Sequence, residues 1–417
     1  MRWEGAEAAL SRQDRQDFDY SAYIPDRLCG RSLLLDASTT ADVAEAEAVI
    51  SSLQMREQAF FNTETVARLL LRAECVASSR IEGLQVNARR LLRAEAAAEG
   101  GGSKHQDVTA SEVLANIEAM RFGYRAVGRQ DPITLDILLE IHRRLLDASS
   151  LAPHGGRLRE TQNWIGGHGL SPRGAVFVPP PHEEVGGLCE DLIAFCNRND
   201  VSVVVQAAMA HAQFEIIHPF ADGNGRTGRA LIHLVLRRRG LVIEVLPPIS
   251  LVLATMQDAY VAGLRAVTYI GDATSADALA GTNLWISRFA AACRRAVSDV
   301  DFYLQRADEI RVRWREQLGS VRAKSAAALL IDALISTPLL TVGTAAKLIG
   351  RSFQQTNEAL ARFEAAGIVK QTNLGKRNRA FEAEAVIRAF TELERRLASP
   401  LGDTVVAKPS RPTPFRR

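Results

Sequence analysis

The amino-acid sequence predicts a mainly α-helical protein with a β-hairpin near its middle and a winged helix-turn-helix at its C-terminal end. Apolar residues recur at three- and four-residue spacing through most of the chain, which places them along one face of a helix. Residues 155–181 break this pattern, because they are rich in glycine and proline. Residues 324–398 have the order helix, helix, helix, strand, strand, which is typical of a winged helix.

Size and composition indicate a soluble globular protein of two or three domains. The chain has 417 residues, of which 47% are hydrophobic and 24% are charged. Its formal net charge of +3 is too small to indicate that the whole chain binds nucleic acid. The five cysteines are scattered and include no Cys-x-x-Cys pair, so they indicate packed thiols in a reducing compartment.

The sequence also bears on cellular location. The first residues carry charges of both signs and no apolar core, which does not match a secretory signal peptide. The most apolar helical stretch, residues 201–217, is interrupted by glutamine, histidine and glutamate. We therefore predict a cytoplasmic protein without a membrane span.

The N-terminal region, residues 1–128, is predicted to be helical after a short arm. Residues 1–20 are charged and weakly patterned, which favours an extended or loosely packed arm. Residues 41–79 are rich in alanine and leucine and predict two or three amphipathic helices, and Gly83 suits the end of the last one. Two further helices are predicted over residues 87–99 and 108–127, with the glycines at 100–102 between them.

Residues 131–296 are predicted to form the central domain. Asp131 and Pro132 suit the N-cap and the first position of a helix. Residues 155–181 then predict a β-hairpin, because two short apolar segments flank a turn and three prolines follow them. Further helices are predicted over residues 183–197, 201–217, 225–239, 254–267 and 283–295.

A separate module is predicted at the C-terminal end. Residues 297–323 are predicted to connect the domains through a charged helix with a narrow apolar stripe. Within residues 324–398, helices are predicted over 324–336, 341–349 and 353–366, and strands over 367–370 and 379–381. The tail, residues 399–417, is rich in proline and basic residues and is predicted to be disordered.

The predicted wing carries basic residues with no acidic residue among them. These residues are Lys370, Lys376, Arg377 and Arg379. Such a cluster is compatible with contacts to DNA phosphates. Winged helices also dock proteins, so DNA and protein remain alternative partners for this module.

The stretch from His218 to Arg229 combines several features that bind phosphate. Gly223 and Gly225 can adopt positive φ, which allows backbone N–H groups to converge on one point. The helix that follows adds unpaired N–H groups and the positive end of its dipole. Arg226 and Arg229 lie three residues apart on one helical face, from which both can reach phosphate oxygens.

Two further side chains in this stretch can take part in chemistry. His218 comes just before the turn, and the ordinary pKa of histidine suits a general base near neutral pH. Asp222 is a hard oxygen ligand, as a phosphate-bound Mg²⁺ requires. The alternative is a glycine-rich helical joint with a capping aspartate and solvated arginines. That alternative explains each residue singly but fits the combination poorly.

The histidines near this stretch do not predict a transition-metal site. His211, His218 and His233 lack His-Glu-x-x-His spacing, and one carboxylate does not complete a ligand set. A buried position is favoured for His211, since it precedes His218 by two helical turns.

The stretch resembles the signature of the Fic family, His-x-Phe-x-Asp/Glu-Gly-Asn-Gly-Arg-x-x-Arg. All eight specified positions match within residues 218–229. The resemblance implies a Fic-type helical core. It also covers residues 155–181, which lie where Fic proteins have a flap that aligns a target segment by strand addition. In that flap, the candidates for target contact are Trp164, Ile165, Phe177 and Val178, although aromatic residues in a hairpin also serve as cross-strand partners.

The resemblance implies transfer of AMP from ATP to a Ser, Thr or Tyr hydroxyl of a target protein, or of the protein itself, with release of pyrophosphate. His218 would accept the hydroxyl proton and Asp222 would hold Mg²⁺ on the α- and β-phosphates. The phosphates would be bound by Gly223, Asn224, Gly225, Arg226, Thr227, Gly228 and Arg229. Lysine takes the place of Gly225 in the kinase-like branch of the family, so glycine implies AMP transfer.

The resemblance also implies regulation. Ser78, Glu82 and Gly83 match the inhibitory motif Ser/Thr-x-x-x-Glu-Gly/Asn of the family, in which the glutamate would pair with Arg229. Tyr260 follows the signature where Fic proteins line the adenine pocket, whereas a core position is favoured for Trp285.

Two other functions remain open at this stage. Some Fic enzymes remove AMP from a modified protein at the same site. Alternatively, the protein is a regulator that binds DNA through residues 341–381 and uses ATP only as a signal. The sequence also leaves a homodimer open.

Overall fold

The computed structural model describes residues 1–3, 16–60, 63–99, 107–167, 171–374 and 378–397. This part of the chain is mainly helical, as predicted. Its α-helices are α1 Ala37–Phe60, α2 Thr63–Ile81, α3 Ala88–Glu99, α4 Val108–Ala126, α5 Leu135–Leu146, α6 His182–Cys196, α7 Val203–Ile217, α8 Asn224–Arg238, α9 Ile249–Thr255, α10 Gln257–Ala266, α11 Ala276–Leu318, α12 Ala326–Ser336, α13 Val342–Ile349, α14 Phe353–Ala365 and α15 Glu384–Leu397. Predictions for the glycines at 100–102, for Lys376 and Arg377, and for the tail concern residues outside these ranges.

The strands are short and form two small antiparallel sheets. They are β1 Arg2–Trp3, β2 Phe18–Asp19, β3 Leu339–Thr341, β4 Lys370–Leu374 and β5 Asn378–Glu382. In the second sheet β5 lies between β3 and β4, with Phe381 opposite both Leu340 and Gln371. The sequence predicts the hairpin of β4 and β5 but places its first strand about three residues too early. It does not predict β3.

Three helix predictions were wrong in detail. Helix α5 begins after Thr134, whose side-chain oxygen accepts a hydrogen bond from the Ile137 N–H at 3.3 Å, and Asp131 instead accepts one from the Gly128 N–H at 2.8 Å. The helix predicted over residues 254–267 is divided at Met256, whose φ of −112° and ψ of 41° are not helical. The helix predicted over residues 283–295 and the connecting helix predicted within residues 297–323 are one continuous helix, α11, of 43 residues.

The chain divides into two compact units. The first comprises Met1–Glu47, Glu118–Leu241 and Val261–Ala290. The second comprises Ala48–Ile117, Val242–Tyr260 and Ala291–Arg417. Three long helices, α1, α4 and α11, contribute residues to both units.

Helices α7 and α8 form the core of the first unit. Nearly every residue of both helices is buried, including polar ones. They approach closely at Gly228, where an added Cβ would lie 2.6 Å from a Glu215 carboxylate oxygen and 2.9 Å from the Phe214 ring. Trp285 is fully buried against α7 and donates its indole N–H to the Ala208 carbonyl at 2.9 Å, which confirms its predicted core position.

The predicted hairpin of residues 155–181 is almost entirely irregular within its described part. Its β-pairing there is a single antiparallel bridge between Ile165 and Phe177. The Ile165 N–H donates to the Phe177 carbonyl at 2.8 Å, and the Val176 N–H donates to the Ile165 carbonyl at 2.8 Å. The chain returns tightly, because an added Cβ at Gly167 would lie 2.9 Å from the Ala175 nitrogen. Glycine is required there, since φ is +73°.

The N-terminal arm packs on this hairpin within the first unit. The Tyr23 N–H donates to the Val178 carbonyl at 2.9 Å, and the Tyr23 ring contacts Phe177. Trp3 meets Trp164 edge to face, with ring centroids 5.4 Å apart. An aromatic partner of Trp164 therefore lies in the arm.

Helix α2, which carries the predicted inhibitory motif near its C-terminal end, is a central element of the second unit. Its buried Glu74 accepts hydrogen bonds from the backbone and hydroxyl of Ser250, at the start of α9. Its Arg72 donates to the carbonyl of Ser336, the last residue of α12, at 3.0 Å. A buried guanidinium that satisfies a helix-terminal carbonyl fixes α2 against the C-terminal helices.

The neighbouring helix α3 is bound both to α2 and to strand β5 of the second sheet. Arg72 also pairs with Glu95 of α3 at 2.5 Å. Arg89 of α3 pairs with the buried carboxylate of Glu382 in β5. The helices and strands of residues 326–397 thus pack with α2 and α3 in one compact unit.

Neither membrane spans nor disulfides occur in the described residues. No described helix is both long and apolar enough to cross a bilayer. All five cysteines are free thiols, and all but Cys29 are buried.

Candidate active site

The candidate site is the short loop between α7 and α8. Helix α7 ends at His218, which adopts the left-handed conformation with φ of 49° and ψ of 60°. The His218 N–H donates to the Phe214 carbonyl at 2.9 Å and so completes the last turn. A non-glycine residue in this conformation costs on the order of 1–3 kcal/mol unless its surroundings hold it. The chain therefore leaves α7 abruptly at His218, which begins the loop.

Gly223 closes the loop and starts α8. Its φ is +78°, and an added Cβ would lie 3.1 Å from Leu145 and 3.4 Å from the His142 ring. The Gly223 carbonyl accepts the first helical hydrogen bond from the Thr227 N–H at 3.1 Å. The backbone N–H groups that follow Gly223 belong to the first turn of α8, where helical carbonyls are unavailable to them.

Asn224 shapes the loop with both ends of its amide. Its side-chain oxygen accepts from the Phe220 N–H at 2.8 Å, and its side-chain N–H₂ donates to the Phe220 carbonyl at 2.9 Å. Asn224 is 3% exposed, so these bonds are protected from water. An aspartate here would lose the donor, and a leucine would lose both bonds.

The His218 ring contacts the backbone at the end of α7. Its Nδ1 lies 3.3 Å from the Glu215 carbonyl oxygen, which can only accept a hydrogen bond. We infer that Nδ1 carries the proton, which leaves a lone pair on Nε2. The ring is half-buried, so a substrate hydroxyl can approach it.

Two cations and one anion surround the start of α8. Arg226 and Arg229 are both buried, which is rare for charged side chains that have no role. The Arg226 guanidinium lies 3.5 Å from the Asp222 carboxylate. The Asp222 side chain is 51% exposed and therefore accessible to a ligand in the loop. Both arginines lie in the first two turns of α8, close in sequence to a helix N-terminus of the kind that attracts anions.

Asp222 fits a magnesium ion that arrives with phosphate. No group of three or more His, Cys, Asp or Glu side chains with metal-binding geometry occurs in the described residues. Mg²⁺ in nucleotide sites commonly takes one or two protein carboxylates and completes its shell with phosphates and water. A single exposed carboxylate beside an anion-binding loop matches that donor set.

His142 of α5 supports the loop from below and is not singled out by the sequence. Its Nε2 contacts the Asp222 carbonyl oxygen, its Nδ1 accepts from the Gly156 N–H at 3.0 Å, and its ring stacks on Phe220 at 3.7 Å. Burial lowers the pKa of His142 to about 4, so its ring is neutral at pH 7. Its position on the apolar face of α5 gives no sign of these contacts.

Arg159 is a second residue that sequence reasoning missed. Its guanidinium donates to the His218 carbonyl at 2.9 Å, and its side chain is buried. It lies in the glycine- and proline-rich segment, where the sequence predicts a β-hairpin and singles out no role for residue 159.

His211 lies in the core beneath the loop, as favoured from the sequence. It is fully buried, and its ring nitrogen Nδ1 lies 3.9 Å from a Glu215 carboxylate oxygen. Burial lowers the pKa of His211 to about 3, with the nearby Arg229 guanidinium acting in the same direction. His233 is also fully buried, one helical turn beyond Arg229 in α8.

The remaining predicted site residues occupy the following places. Gly225, Thr227 and Gly228 lie in the first turns of α8, within the same first unit as His218. Ser78, Glu82, Gly83 and Tyr260 belong to the second unit. Ser78 and Tyr260 are buried, Glu82 is exposed just after α2, and Gly83 has a φ of +81°. Their predicted roles in inhibition and adenine binding stay predictions.

Two family models match this chain, and together they cover its N-terminal helices and the candidate site. Residues 132–236 match the Fic/DOC family, and residues 40–125 match the N-terminal domain of that family. The loop between two buried helices, with its histidine, carboxylate and arginines, lies in the first of these matches. Both segments therefore match models of the Fic/DOC family, as the signature indicated.

Proteins similar in sequence to this chain include protein adenylyltransferases from animals. The chain is 32% identical over 167 residues to protein adenylyltransferase fic-1 of Caenorhabditis elegans, covering 39% of this chain and 30% of that protein. It is 37% identical over 134 residues to protein adenylyltransferase Fic of Culex quinquefasciatus, covering 31% of this chain and 25% of that protein. The chain thus spans less than a third of the length of these curated relatives.

A solved structure supports the fold over a longer stretch. A Fic family protein from Desulfovibrio desulfuricans superposes with a TM-score of 0.52 at 21% identity, covering 84% of this chain and 97% of that one. This likeness concerns the fold.

Proposed function

We propose that the chain is a protein adenylyltransferase that transfers AMP from ATP to a Ser, Thr or Tyr hydroxyl of a target protein. The observation that carries the proposal is the α7–α8 loop, where a complete Fic signature combines an oriented histidine with an anion-binding helix start. The named relatives support the same activity, since both are protein adenylyltransferases.

The proposed reaction uses His218 as the general base. Its Nε2 takes the proton of the target hydroxyl while the hydroxyl oxygen attacks the α-phosphorus of ATP. The bond between the α-phosphorus and the α–β bridging oxygen breaks, and pyrophosphate leaves with that oxygen. The product is a phosphodiester between AMP and the target side chain, so the atoms and charges balance.

The start of α8 would hold the phosphates. Because the Asn224 side chain is engaged with Phe220, we assign phosphate binding at residues 223–228 to the backbone N–H groups. Arg226 and Arg229 would bind the β- and γ-phosphates with their forked donors. Asp222 would hold Mg²⁺, which when bound neutralises phosphate charge. The assignment of particular phosphates to these residues follows the family resemblance.

We also propose that the enzyme is autoinhibited by Glu82 and that residues 324–398 contain a winged helix. The order of three helices and a β3–β5–β4 sheet supports the second assignment. Lys370 and Arg379 are exposed on this module, as phosphate contacts require, while Phe353 is 63% exposed at the start of α14. A solvated phenylalanine suits a protein partner, so DNA and protein are alternative partners of this module.

The nucleotide label tests the central proposal. The protein is incubated with Mg²⁺ and ATP labelled at the α- or the γ-phosphate, alone and with cell extract, and labelled protein is sought on a denaturing gel. We expect label from α-labelled ATP only. Glycine at position 225, unlike lysine, leaves room for ATP to lie with its α-phosphate at His218. Label from γ-labelled ATP alone would indicate phosphate transfer. Loss of AMP from a pre-modified protein, without transfer, would indicate the reverse reaction.

A further inference from the structure

The proposed reaction makes the backbone position of His218 critical, and the following inference rests on that proposed function. A general base acts only when its nitrogen lies within hydrogen-bond reach of the proton that it takes. His218 sits in a left-handed conformation that directs its carbonyl away from α7. That carbonyl accepts from the Arg159 Nε–H at 2.9 Å and from the Asn163 side-chain N–H₂ at 3.3 Å.

The Arg159 guanidinium is surrounded by main-chain carbonyls. Besides His218, it donates to Thr161 at 3.1 Å, to Pro180 and, more weakly, to Ile217 at 3.4 Å. All of its side-chain hydrogen bonds within the described residues go to main-chain oxygens. These oxygens come from the end of α7 and from both ends of the hairpin, residues that are far apart in sequence.

The Arg159 side chain is buried and yet remains charged. It is 6% exposed, and burial lowers its pKa to about 10, so it is protonated at neutral pH. The carbonyl dipoles take the place of water around the cation. A buried cation without a hydrogen-bonded carboxylate is costly, which argues for a role beyond packing.

Neighbouring bonds join the same three segments. The Arg159 backbone N–H donates to the Pro219 carbonyl at 2.9 Å, and the Asn163 side chain also donates to the Phe220 carbonyl at 3.1 Å. Gln162 donates to the Pro179 carbonyl at 3.0 Å, which ties the first arm of the hairpin to the second. The hairpin base and the candidate catalytic loop are therefore one hydrogen-bonded assembly around a single guanidinium.

We propose that Arg159 is a positioning residue of the transfer reaction, which fixes the main chain of His218 relative to the hairpin on which the target hydroxyl docks. Its planar fork reaches several carbonyls at once, and a lysine ammonium cannot reproduce that pattern. Arg159 acts through His218 and does not touch ATP. Its loss therefore lowers the rate of transfer and leaves nucleotide binding unchanged.

The chain offers a matched control for this proposal. Arg238, at the far end of α8, is also 6% exposed and donates to the Asn197 carbonyl at 2.8 Å and to the Asn199 side chain at 2.9 Å. Burial lowers the pKa of Arg238 as well. Arg159→Met and Arg238→Met thus remove the same kind of buried, backbone-bound guanidinium, but only the first removes a contact to His218.

The experiment measures self-modification with α-labelled ATP in the Glu82→Gly protein, from which the predicted inhibitory carboxylate is removed. We expect Arg159→Met to lower kcat on the order of 10²-fold relative to Arg238→Met, because a displacement of about 1 Å can cost that much. The KM for ATP should stay within about twofold of the control. In a His218→Ala background, Arg159→Met should cause no further loss.

A second readout does not require catalysis. Backbone hydrogen exchange over residues 156–167 and 217–225 should be faster in Arg159→Met than in Arg238→Met. If the parent transfers no label to any protein, the proposed function fails while hydrogen exchange still decides the role of Arg159. Equal exchange, equal kcat, or an equal loss in the His218→Ala background would overturn the inference. If Arg159→Met is insoluble, Asn163→Leu takes its place, because it removes the Asn163 donor to the His218 carbonyl. The same changes in kcat and in hydrogen exchange are then expected of Asn163→Leu.

Discussion

The Nε2 atom of His142 lies 2.9 Å from the main-chain oxygen of Asp222. The opposite ring nitrogen accepts from Gly156, so a neutral imidazole with its proton on Nε2 satisfies both contacts. The proposed magnesium ligand and the start of the hairpin are thus bound to the same ring.

His142→Gln tests this support. The substitution loses the ring that stacks on Phe220 and leaves the Gly156 N–H without its acceptor. We expect the free energy of unfolding to fall by about 1–3 kcal/mol in urea titrations. The same change at exposed His154 serves as the control and should stay within about 0.5 kcal/mol of wild type. Equal stability of the two variants would contradict a supporting role for His142.

His211 predicts how stability depends on pH. Burial lowers its pKa to about 3 in the folded chain, against an ordinary value of 6.5. Between these values the unfolded chain binds more protons, so this contribution is complete above pH 6.5 and is lost as pH falls towards 3. At pH 5 the loss is about 2 kcal/mol from this group. We expect the difference in unfolding free energy between pH 7 and pH 5 to shrink in His211→Gln, and an unchanged difference would count against the assignment.

His218→Ala should remove transfer and keep the nucleotide. General-base loss typically lowers a rate on the order of 10²–10⁴-fold. The affinity for ATP, measured by titration calorimetry, should stay close to that of wild type because the phosphate-binding groups lie in α8. Wild-type turnover in this variant would reject His218 as the base.

Glu82→Gly tests autoinhibition. Glu82 directly follows α2, where a carboxylate faces the negative end of the helix dipole at a cost of roughly 0.3–1 kcal/mol where exposed. The family resemblance pairs it with Arg229, which the γ-phosphate would need. We expect Glu82→Gly to raise target or self-modification well above wild type, and Arg229→Ala added to it to remove that gain. Activity no higher than wild type would leave Glu82 as a surface residue without a regulatory role.

The salt dependence of DNA binding tests the C-terminal module. If the predicted wing contacts phosphates, affinity should fall steeply with salt, and Lys376→Ala with Arg377→Ala should reduce the slope by about 2. Electrophoretic mobility at several salt concentrations measures this. Phe353→Ser should leave DNA binding intact if Phe353 serves a protein partner. Failure of the wild-type chain to shift any DNA at low salt would favour a protein-docking module.

The sequence predicted most helices because their apolar spacing is dictated by burial. The prediction failed where the end of a helix or the presence of a strand depends on contacts with residues far away in the sequence. Separate helices were predicted before and after residue 296, but α11 continues through this position. Strand β3 has three residues and is defined by pairing with β5, which lies about forty positions later.

The same distinction applies to the candidate site. The stretch from His218 to Arg229 could be singled out because the groups with suitable chemistry for phosphate are contiguous in sequence. Arg159 was missed because its partners are main-chain carbonyls, which every residue possesses. His142 was missed because an imidazole on an apolar helix face matches a core position equally well. Sequence patterns record side-chain chemistry, whereas these two contacts depend on where the backbone of another segment passes.

The attachment of Arg72 to the last carbonyl of α12 has a consequence for the modular history of this protein. A chain ending before residue 324 would lose the acceptor of Arg72 and the carboxylate that pairs with Arg89. Its helix α2 would then be cut readily by trypsin at Arg72 and Arg80, whereas the full chain should resist. Equal resistance would show that the two parts are separable. If only the full chain resists trypsin, recombination could not discard the C-terminal module without also damaging the helix that precedes Glu82. The two parts would then be inherited together.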